Sequence, residues 1–248
     1  MEVGFKTDKG IRRSNNEDAC FVMKRDKLFI VADGVGGNNS GEIASRTAVS
    51  EVTEFFQKNP LKQGASIDEI RDYFHLCVNA ANVAVVEKSY RIPRNRGMAT
   101  TLVAAYIEGD KAYIINVGDS RGYLLHEGKL RQITDDHTYV NTLIKAGLIT
   151  EEDALTHENR NMITRAIGAD AQIEEDLFVV PIEAGDMILL CTDGLYGEVS
   201  DEELTEILQM KASVGNICSD LVDLANKNGG SDNITMIVLK FTEEDINE

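Results

Sequence analysis

The sequence predicts an α+β fold in which antiparallel sheet layers are covered by helices. Three observations carry this expectation. Strand-like and helix-like segments come in groups rather than in strict βαβ alternation, turn residues separate consecutive β-rich runs, and two long amphipathic helices in succession need a shared apolar floor. At 248 residues, with no Pro- or Ser-rich linker, the chain reads as one domain over 1–241 and a short acidic tail at 242–248. A hydrophobic content of 43% against 27% charged residues argues against disorder.

In chain order, "KLFIVAD" (27–33) is a nearly continuous apolar run and reads as a buried strand. "GEIASRTAVSEVTEFF" (41–56) places Ile43, Ala44, Ala48, Val52, Phe55 and Phe56 on one helical face, with Asn39 and Glu42 spaced as a capping box. A second helix over 66–89 opens on the same Ser66–Glu69 arrangement and carries Ile67, Ile70, Phe74, Val78, Ala81 and Val85 at helical spacing. Residues 100–134 alternate β-rich runs with turns at Glu108–Lys111 and Glu127–Gly128, which predicts consecutive antiparallel hairpins. "DMILLCTDG" (186–194) is another buried strand, helical stretches follow near 201–211 and 216–228, and "DNITMIVLKF" (232–241) closes the fold as a strand.

Charge and cysteine content narrow the function classes. With 42 acidic and 25 basic residues the net charge is −17, which repels nucleic-acid backbones and anionic lipid and draws divalent cations toward any cleft. Neither a nucleic-acid nor a membrane partner is expected. The first residues lack the basic start and apolar stretch of a secretory signal, so the chain is expected in the cytoplasm. Its 4 cysteines are scattered without a CxxC pair, which points to reduced thiols rather than a zinc site or a disulfide framework.

The acidic residues carry the chemistry. Asp33, Asp193 and Asp119 each stand at the C-terminal end of an apolar strand with glycine beside them, and Asp232 opens the last strand after "NGGS". A lone Asp–Gly is ordinarily a turn, but "FIVADG" and "LLCTDG" repeat one arrangement. Two unit charges about 4 Å apart repel by about 1 kcal/mol in water and about 4 kcal/mol near a protein surface, so a cluster of such ends calls for cations. Oxygen-only ligands select Mg²⁺ or Mn²⁺ over zinc. A phosphate-cradling loop needs GxxxxGK[ST] or GxGxxG, and "VADGVGGNNSGEIAS" (31–45) has no Lys or Ser/Thr where the former requires it.

"RSNNEDA" (13–19), "VADGVGG" (31–37), "GMATT" (97–101), "NVGDSRGY" (116–123), "TDGLYGEVS" (192–200) and "GGSDNIT" (229–235) stand in the order and approximate spacing of the metal-dependent Ser/Thr protein phosphatases of the 2C type. The chain resembles a stand-alone bacterial member over about residues 3–239. The resemblance implies a four-layer αββα fold, a central antiparallel β-sandwich flanked on both sides by helix pairs, with a flap insertion. It also implies two tightly bound Mn²⁺ or Mg²⁺ ions at one edge of the sandwich and a third, weaker one. By resemblance Asp33 bridges both ions, the Gly34 carbonyl binds one, Asp193 and Asp232 bind the other, and Glu17 and Asp18 complete the site directly or through water. Asp119 would hold the third ion. The implied reaction is hydrolysis of phosphoserine and phosphothreonine in proteins by a hydroxide between the two ions, reversing a Ser/Thr kinase that is itself a candidate substrate. Arg13 matches the family arginine whose planar fork binds two phosphate oxygens, and Arg12 is its control.

Two departures qualify the resemblance. Where some members carry histidine after the first "DG" or shortly beyond, this chain has Val35 and Asn38, so leaving-group protonation is assigned to metal-bound water. Gly197 stands where some relatives supply another carboxylate, which leaves the third ion dependent on Asp119. Residues 138–166 resemble the flap of bacterial members, with a surface insertion as the plainer reading; His137 just before it and His157 within it are given no role. A phosphoprotein-binding pseudo-phosphatase is the alternative, for which loss of a ligand aspartate would be the signature. A two-metal nuclease is disfavoured by the net charge of −17.

Overall fold

The buried run Leu28–Ala32 displays the layering of the molecule. Leu28, Ile30 and Ala32 pack among helix residues such as Ala48, Phe56, Phe74 and Val78, whereas Phe29 and Val31 join Leu124, Ile188, Leu190 and Ile237 of an opposing sheet. Alternate side chains of a strand leave by opposite faces, so a strand with a neighbour layer on each side is apolar throughout. The computed structural model describes residues 1–35 and 40–246.

The strands are β1 (Glu2–Asp8), β2 (Ala19–Met23), β3 (Leu28–Ala32), β4 (Gly34–Val35), β5 (Ala99–Thr100), β6 (Leu102–Glu108), β7 (Lys111–Val117), β8 (Arg121–His126), β9 (Lys129–Gln132), β10 (Asp176–Pro181), β11 (Met187–Cys191) and β12 (Ile234–Lys240). The helices are α1 (Gly41–Lys58), α2 (Ile67–Arg91), α3 (Tyr139–Lys145), α4 (Glu151–Thr156), α5 (Asp193–Tyr196), α6 (Asp201–Leu208), α7 (Val214–Asn228) and α8 (Glu243–Ile246). Among the described residues two five-stranded antiparallel sheets form, in the orders β1-β12-β11-β8-β9 and β10-β7-β6-β3-β2, with β4 and β5 as a separate ladder. Helices α1 and α2 cover the sheet that contains β3, and α6 and α7 cover the other through Leu204, Leu208, Ile217 and Leu221. The four-layer αββα arrangement is therefore present.

Several expectations need correction. The two hairpins expected over 100–134 are present, β6 with β7 and β8 with β9, but the sequence does not show that β7 and β8 belong to opposite sheets. The chain crosses at Gly118–Ser120, where Gly118 takes φ 101° and a Cβ would meet the Thr101 side chain at 2.6 Å. Asp232 lies two residues ahead of β12 rather than opening it. Asn39, read as a cap, lies outside the described residues, as does Asn38; Ser40 precedes α1 and its Oγ donates to the Arg94 carbonyl at 2.9 Å instead of capping the helix. The Ser66–Glu69 capping box is present, but Ile67, in the first turn, is exposed. Strands β1, β2 and β10 escaped the sequence reading because they are sheet edges with mixed, half-exposed faces. Cys77, Cys191 and Cys218 are buried and free, and Cys20 is half-buried and free. Among the described residues no helix is long and apolar enough to cross a membrane.

Candidate metal centre

Antiparallel register gathers the acidic residues. In one sheet Asp8 at the end of β1 faces Ile234 at the start of β12, and Cys191 at the end of β11 faces Met236 and Arg121. In the other, Ala32 at the end of β3 faces Ala19, and Val117 at the end of β7 faces Leu102. The crossing at 118–120 joins these two sets of ends, so the segments carrying Asp18, Asp33, Asp119, Asp193 and Asp232 share one edge of the sandwich.

Each carboxylate sits on main chain fixed by its neighbours. The Asp33 N–H donates to Thr101 Oγ1 at 2.9 Å, and its carbonyl accepts from Thr101 N at 2.9 Å and Thr100 Oγ1 at 2.8 Å. Thr101 Oγ1 also meets Ser120 Oγ at 2.6 Å, tying the Asp33 strand end to the Asp119 crossing. Asp18 Oδ2 accepts from Thr192 Oγ1 at 3.0 Å, beside Asp193 in sequence. Asn233 Oδ1 accepts from the Glu17 N–H at 2.8 Å while its amide donates to the carbonyls of Lys9 and Asn15 at 2.9 and 2.8 Å, which ties the arm carrying Arg13 and Glu17 to the loop carrying Asp232. Gly34 is buried, and a Cβ there would meet the Glu17 carbonyl oxygen at 2.5 Å, so only glycine fits.

The electrostatics match a crowd of like charges. Burial, followed by Asp18, Asp193, Asp119 and Asp232, holds the Asp33 carboxyl well above the usual carboxylate range. Burial and Asp193 push Asp119 up to about 7, and burial with Asp193 and Asp232 pushes Asp18 up to about 7 despite hydrogen bonds from Thr235 and Thr192. Asp193 is raised by burial and by Asp232, and Glu17 by burial against the pull of Arg13. Arg13, at the exposed rim, places Nη2 2.5 Å from Asp232 Oδ2; burial opposes its charge, but Asp232, Asp193 and Asp33 raise its pKa on balance.

The donor set fits hard divalent cations. Asp193 Oδ1 is buried without a hydrogen-bond partner, a costly state for a carboxylate oxygen and the one a cation relieves. Among the described residues no three His, Cys, Asp or Glu side chains close on one point as a complete cage. Mg²⁺ and its kin suit such a cleft, because they take one or two carboxylates and keep several waters.

Asp33, Gly34, Asp119, Asp193, Asp232, Glu17 and Asp18 thus come to one sandwich edge, with Arg13 at its rim; Arg12 is exposed and bonds through its N–H to the Gly230 carbonyl at 3.1 Å. The sequence reading missed the residues that hold these carboxylate-bearing segments in place. Thr101, Thr192 and Asn233 stand inside the quoted motifs, and their signal was a hydroxyl or amide near each ligand. His137 has a structural place: Nδ1 accepts from the Gly118 N–H at 3.1 Å, which leaves the proton on Nε2 to be donated to Asp176 Oδ2 at 3.1 Å. His157 accepts from the Asn159 N–H in the exposed part of the 138–166 segment. That segment carries α3 and α4, and its base is closed by the Thr138–Ile163 bridge.

A paired-sheet sandwich with a carboxylate cleft at its edge is the frame of a metal-dependent phosphatase, and the comparisons agree. Residues 9–234 match the family described as protein phosphatase 2C. The chain is 38% identical over 243 residues to the serine/threonine phosphatase stp of Listeria monocytogenes serotype 4b, covering 97% of this chain and 96% of that one. It superposes on the crystal structure of the Mycobacterium tuberculosis serine/threonine phosphatase PstP/Ppp with a TM-score of 0.88 at 36% identity, covering 98% and 99% of the two chains. The catalytic domain of PstP in complex with two manganese ions gives a TM-score of 0.83 at 35% identity, with 96% of each chain covered. The chain belongs to the protein phosphatase 2C family.

Proposed function

We propose that the chain hydrolyses phosphoserine and phosphothreonine in proteins, using two Mn²⁺ or Mg²⁺ ions held at the sandwich edge. The carrying observation is the gathering of Asp18, Asp119, Asp193 and Asp232 about Asp33, with one Asp193 oxygen buried and unpartnered. When bound, the ions supply Lewis acidity toward the phosphoryl group and lower the pKa of attacking water. Asp33, at the end of β3, would be the carboxylate common to the two ions; the Gly34 carbonyl, Asp193 and Asp232 would hold them with it, and Glu17 and Asp18 would complete the shell directly or through water. Arg13 exchanges Asp232 for two phosphate oxygens of the substrate, which its planar fork suits. Asp119 holds a third, weaker ion, with no carboxylate at Gly197 to help, and the 138–166 flap borders the cleft and sorts phosphopeptides.

The substrates are phosphoproteins of the cytoplasm, made by a Ser/Thr kinase that is itself a candidate substrate. All the acidic positions that the resemblance assigns are filled, which disfavours a binding-only pseudo-phosphatase. Hydrolysis of p-nitrophenyl phosphate and of a phosphothreonine peptide, with and without Mn²⁺, tests the reading. Turnover of both that depends on the metal is the expected result; full activity after metal stripping in excess chelator overturns it.

A further inference from the structure

Tyr196 ends α5, the single helical turn that begins with Asp193. Its hydroxyl donates at 2.9 Å to the main-chain carbonyl of Asp119, on the other acidic segment. The ring is held in place for this bond. The Arg121 guanidinium lies 3.7 Å above the ring centroid, and its own fork is fixed by Asp136, with Nε at 3.0 and 3.1 Å from the two oxygens and Nη2 at 2.7 Å from Oδ2. Gln132 Nε2 reaches the same carboxylate at 2.9 Å, so neither the cation nor the aromatic face is free to drift.

The crossing segment is gripped on both sides of the Asp119 Cα. On the N-terminal side, Gly118 donates to His137 Nδ1 at 3.1 Å and accepts from the His137 N–H at 3.0 Å. On the C-terminal side the grip is the Tyr196 hydroxyl. Gly118, at φ 101°, is the pivot between them. A carboxylate on a one-atom stem points where its main chain is held, and groups that orient a ligand shape its metal affinity without touching the metal.

We propose that Tyr196 is a positioning residue for Asp119: its hydroxyl fixes the Asp119 main chain, and so the direction of the carboxylate into the cleft, in step with Asp193 on the same helical turn. This rests on the reading of Asp119 as ligand of the weak third ion. Gly197 brings no side chain to that ion, so the aim of one carboxylate decides its affinity.

The test is Mn²⁺ binding to the full chain, by calorimetry with bound Mn²⁺ counted by electron paramagnetic resonance. Wild type, Tyr196→Phe, Asp119→Asn and the double variant are compared, with circular dichroism to confirm folding. Tyr196→Phe keeps the ring on Arg121 and removes only the donor. It should raise the dissociation constant of the weak ion about three- to tenfold and leave the tight ions unchanged, the size expected for one neutral hydrogen bond acting through a ligand. Its kcat should fall at limiting Mn²⁺ and recover at saturation. Asp119→Asn should abolish the weak ion, and the double variant should add nothing. If Asp119→Asn loses the weak ion while Tyr196→Phe binds it as wild type does, the positioning role is overturned and the reading of Asp119 stands. Equal weakening of all ions by Tyr196→Phe also overturns the role, since that is general loosening. Retention of every ion by Asp119→Asn overturns the reading of Asp119 itself.

Discussion

The two flanks of the carboxylate cleft are built differently. On the Asp33–Asp193–Asp232 flank, carboxylates come from both sheets, Asp33 has main-chain and hydroxyl ties to Thr100 and Thr101, and one Asp193 oxygen is buried without a partner. On the Asp119 flank a single carboxylate sits on a glycine-hinged crossing, and Gly197, which is exposed, has no side chain to offer. Several carboxylates on rigid strand ends make a high-affinity site for hard ions; one carboxylate on a crossing makes an exchangeable one. On the proposed assignment, with aspartate as ligand on both flanks, backbone context would separate tight binding from exchange.

The largest effects should fall on the first flank. Asp33→Ala, assayed at saturating Mn²⁺ on p-nitrophenyl phosphate, should lose on the order of a thousandfold or more in kcat while remaining folded, because the proposed reading makes Asp33 the carboxylate common to both ions. Asp193→Ala and Asp232→Ala should approach the same loss. A metal-saturated Asp33→Ala that kept a tenth of the wild-type rate would dissolve the distinction between the flanks.

Asp119→Ala should do less, and unevenly. A fall of roughly tenfold to a hundredfold is expected on a phosphothreonine peptide and a smaller one on p-nitrophenyl phosphate. The leaving group explains the split: p-nitrophenolate departs without a proton, whereas a serine or threonine alkoxide needs one, and the Asp119 flank is where a proton source would be organised in a chain with Val35 after Gly34. Equal losses on the two substrates would remove the leaving-group role, and an unchanged phosphopeptide kcat at both limiting and saturating Mn²⁺ would reduce Asp119 to a turn residue.

Arginine at the rim gives a smaller contrast. Arg13→Ala should lower kcat/KM on p-nitrophenyl phosphate by roughly tenfold, with loss in both kcat and KM, because the guanidinium meets charge that grows in the transition state. Arg12→Ala should stay near wild type, since its side chain is exposed and only its N–H is used, toward Gly230. Matching losses at the two positions would show that Arg13 acts through bulk charge.

The comparison also explains what was legible in the sequence. Strand ends announce themselves when an apolar run stops at Asp–Gly, so Asp33 and Asp193 were readable, and the amphipathic faces of α1 and α2 gave the covering layer. The crossing at Gly118–Ser120 was not readable, because a change of sheet and a hairpin both look like β-rich runs broken by glycine. Edge strands β1, β2 and β10 were missed because half-exposed faces carry no continuous apolar run. Thr101, Thr192, Asn233 and Tyr196 were quoted within motifs, yet their hydrogen bonds join segments far apart in the chain, and no local spacing encodes such a bond.

The smallest expected effect is on stability and tests whether the two flanks share one field. Asp18 and Asp119 are pushed to about 7, and Asp33 and Asp193 are also raised, chiefly by burial and then by one another. An unfolded aspartate titrates near 3.9, so between about pH 4 and pH 7 the folded metal-free chain holds more protons than the unfolded one. Its stability should therefore fall as pH rises through that window. Divalent ions bind the deprotonated carboxylates, so saturating Mg²⁺ should raise Tm by more at about pH 7.5 than at about pH 5.5. Two histidines overlap the window: His126, raised by Asp186, adds a decline of the same sign, and His137, lowered by burial, adds a rise. The carboxylate share is isolated by comparing wild type with Asp119→Asn, which should flatten the metal-free decline while keeping most of the Mg²⁺ gain, because the tight flank remains. A metal-free Tm that climbs from pH 5.5 to 7.5 in wild type and variant alike would mean that the cleft is not a shared field of buried carboxylates. An Asp119→Asn variant that lost the whole Mg²⁺ gain would place the tight site on the crossing and invert the comparison.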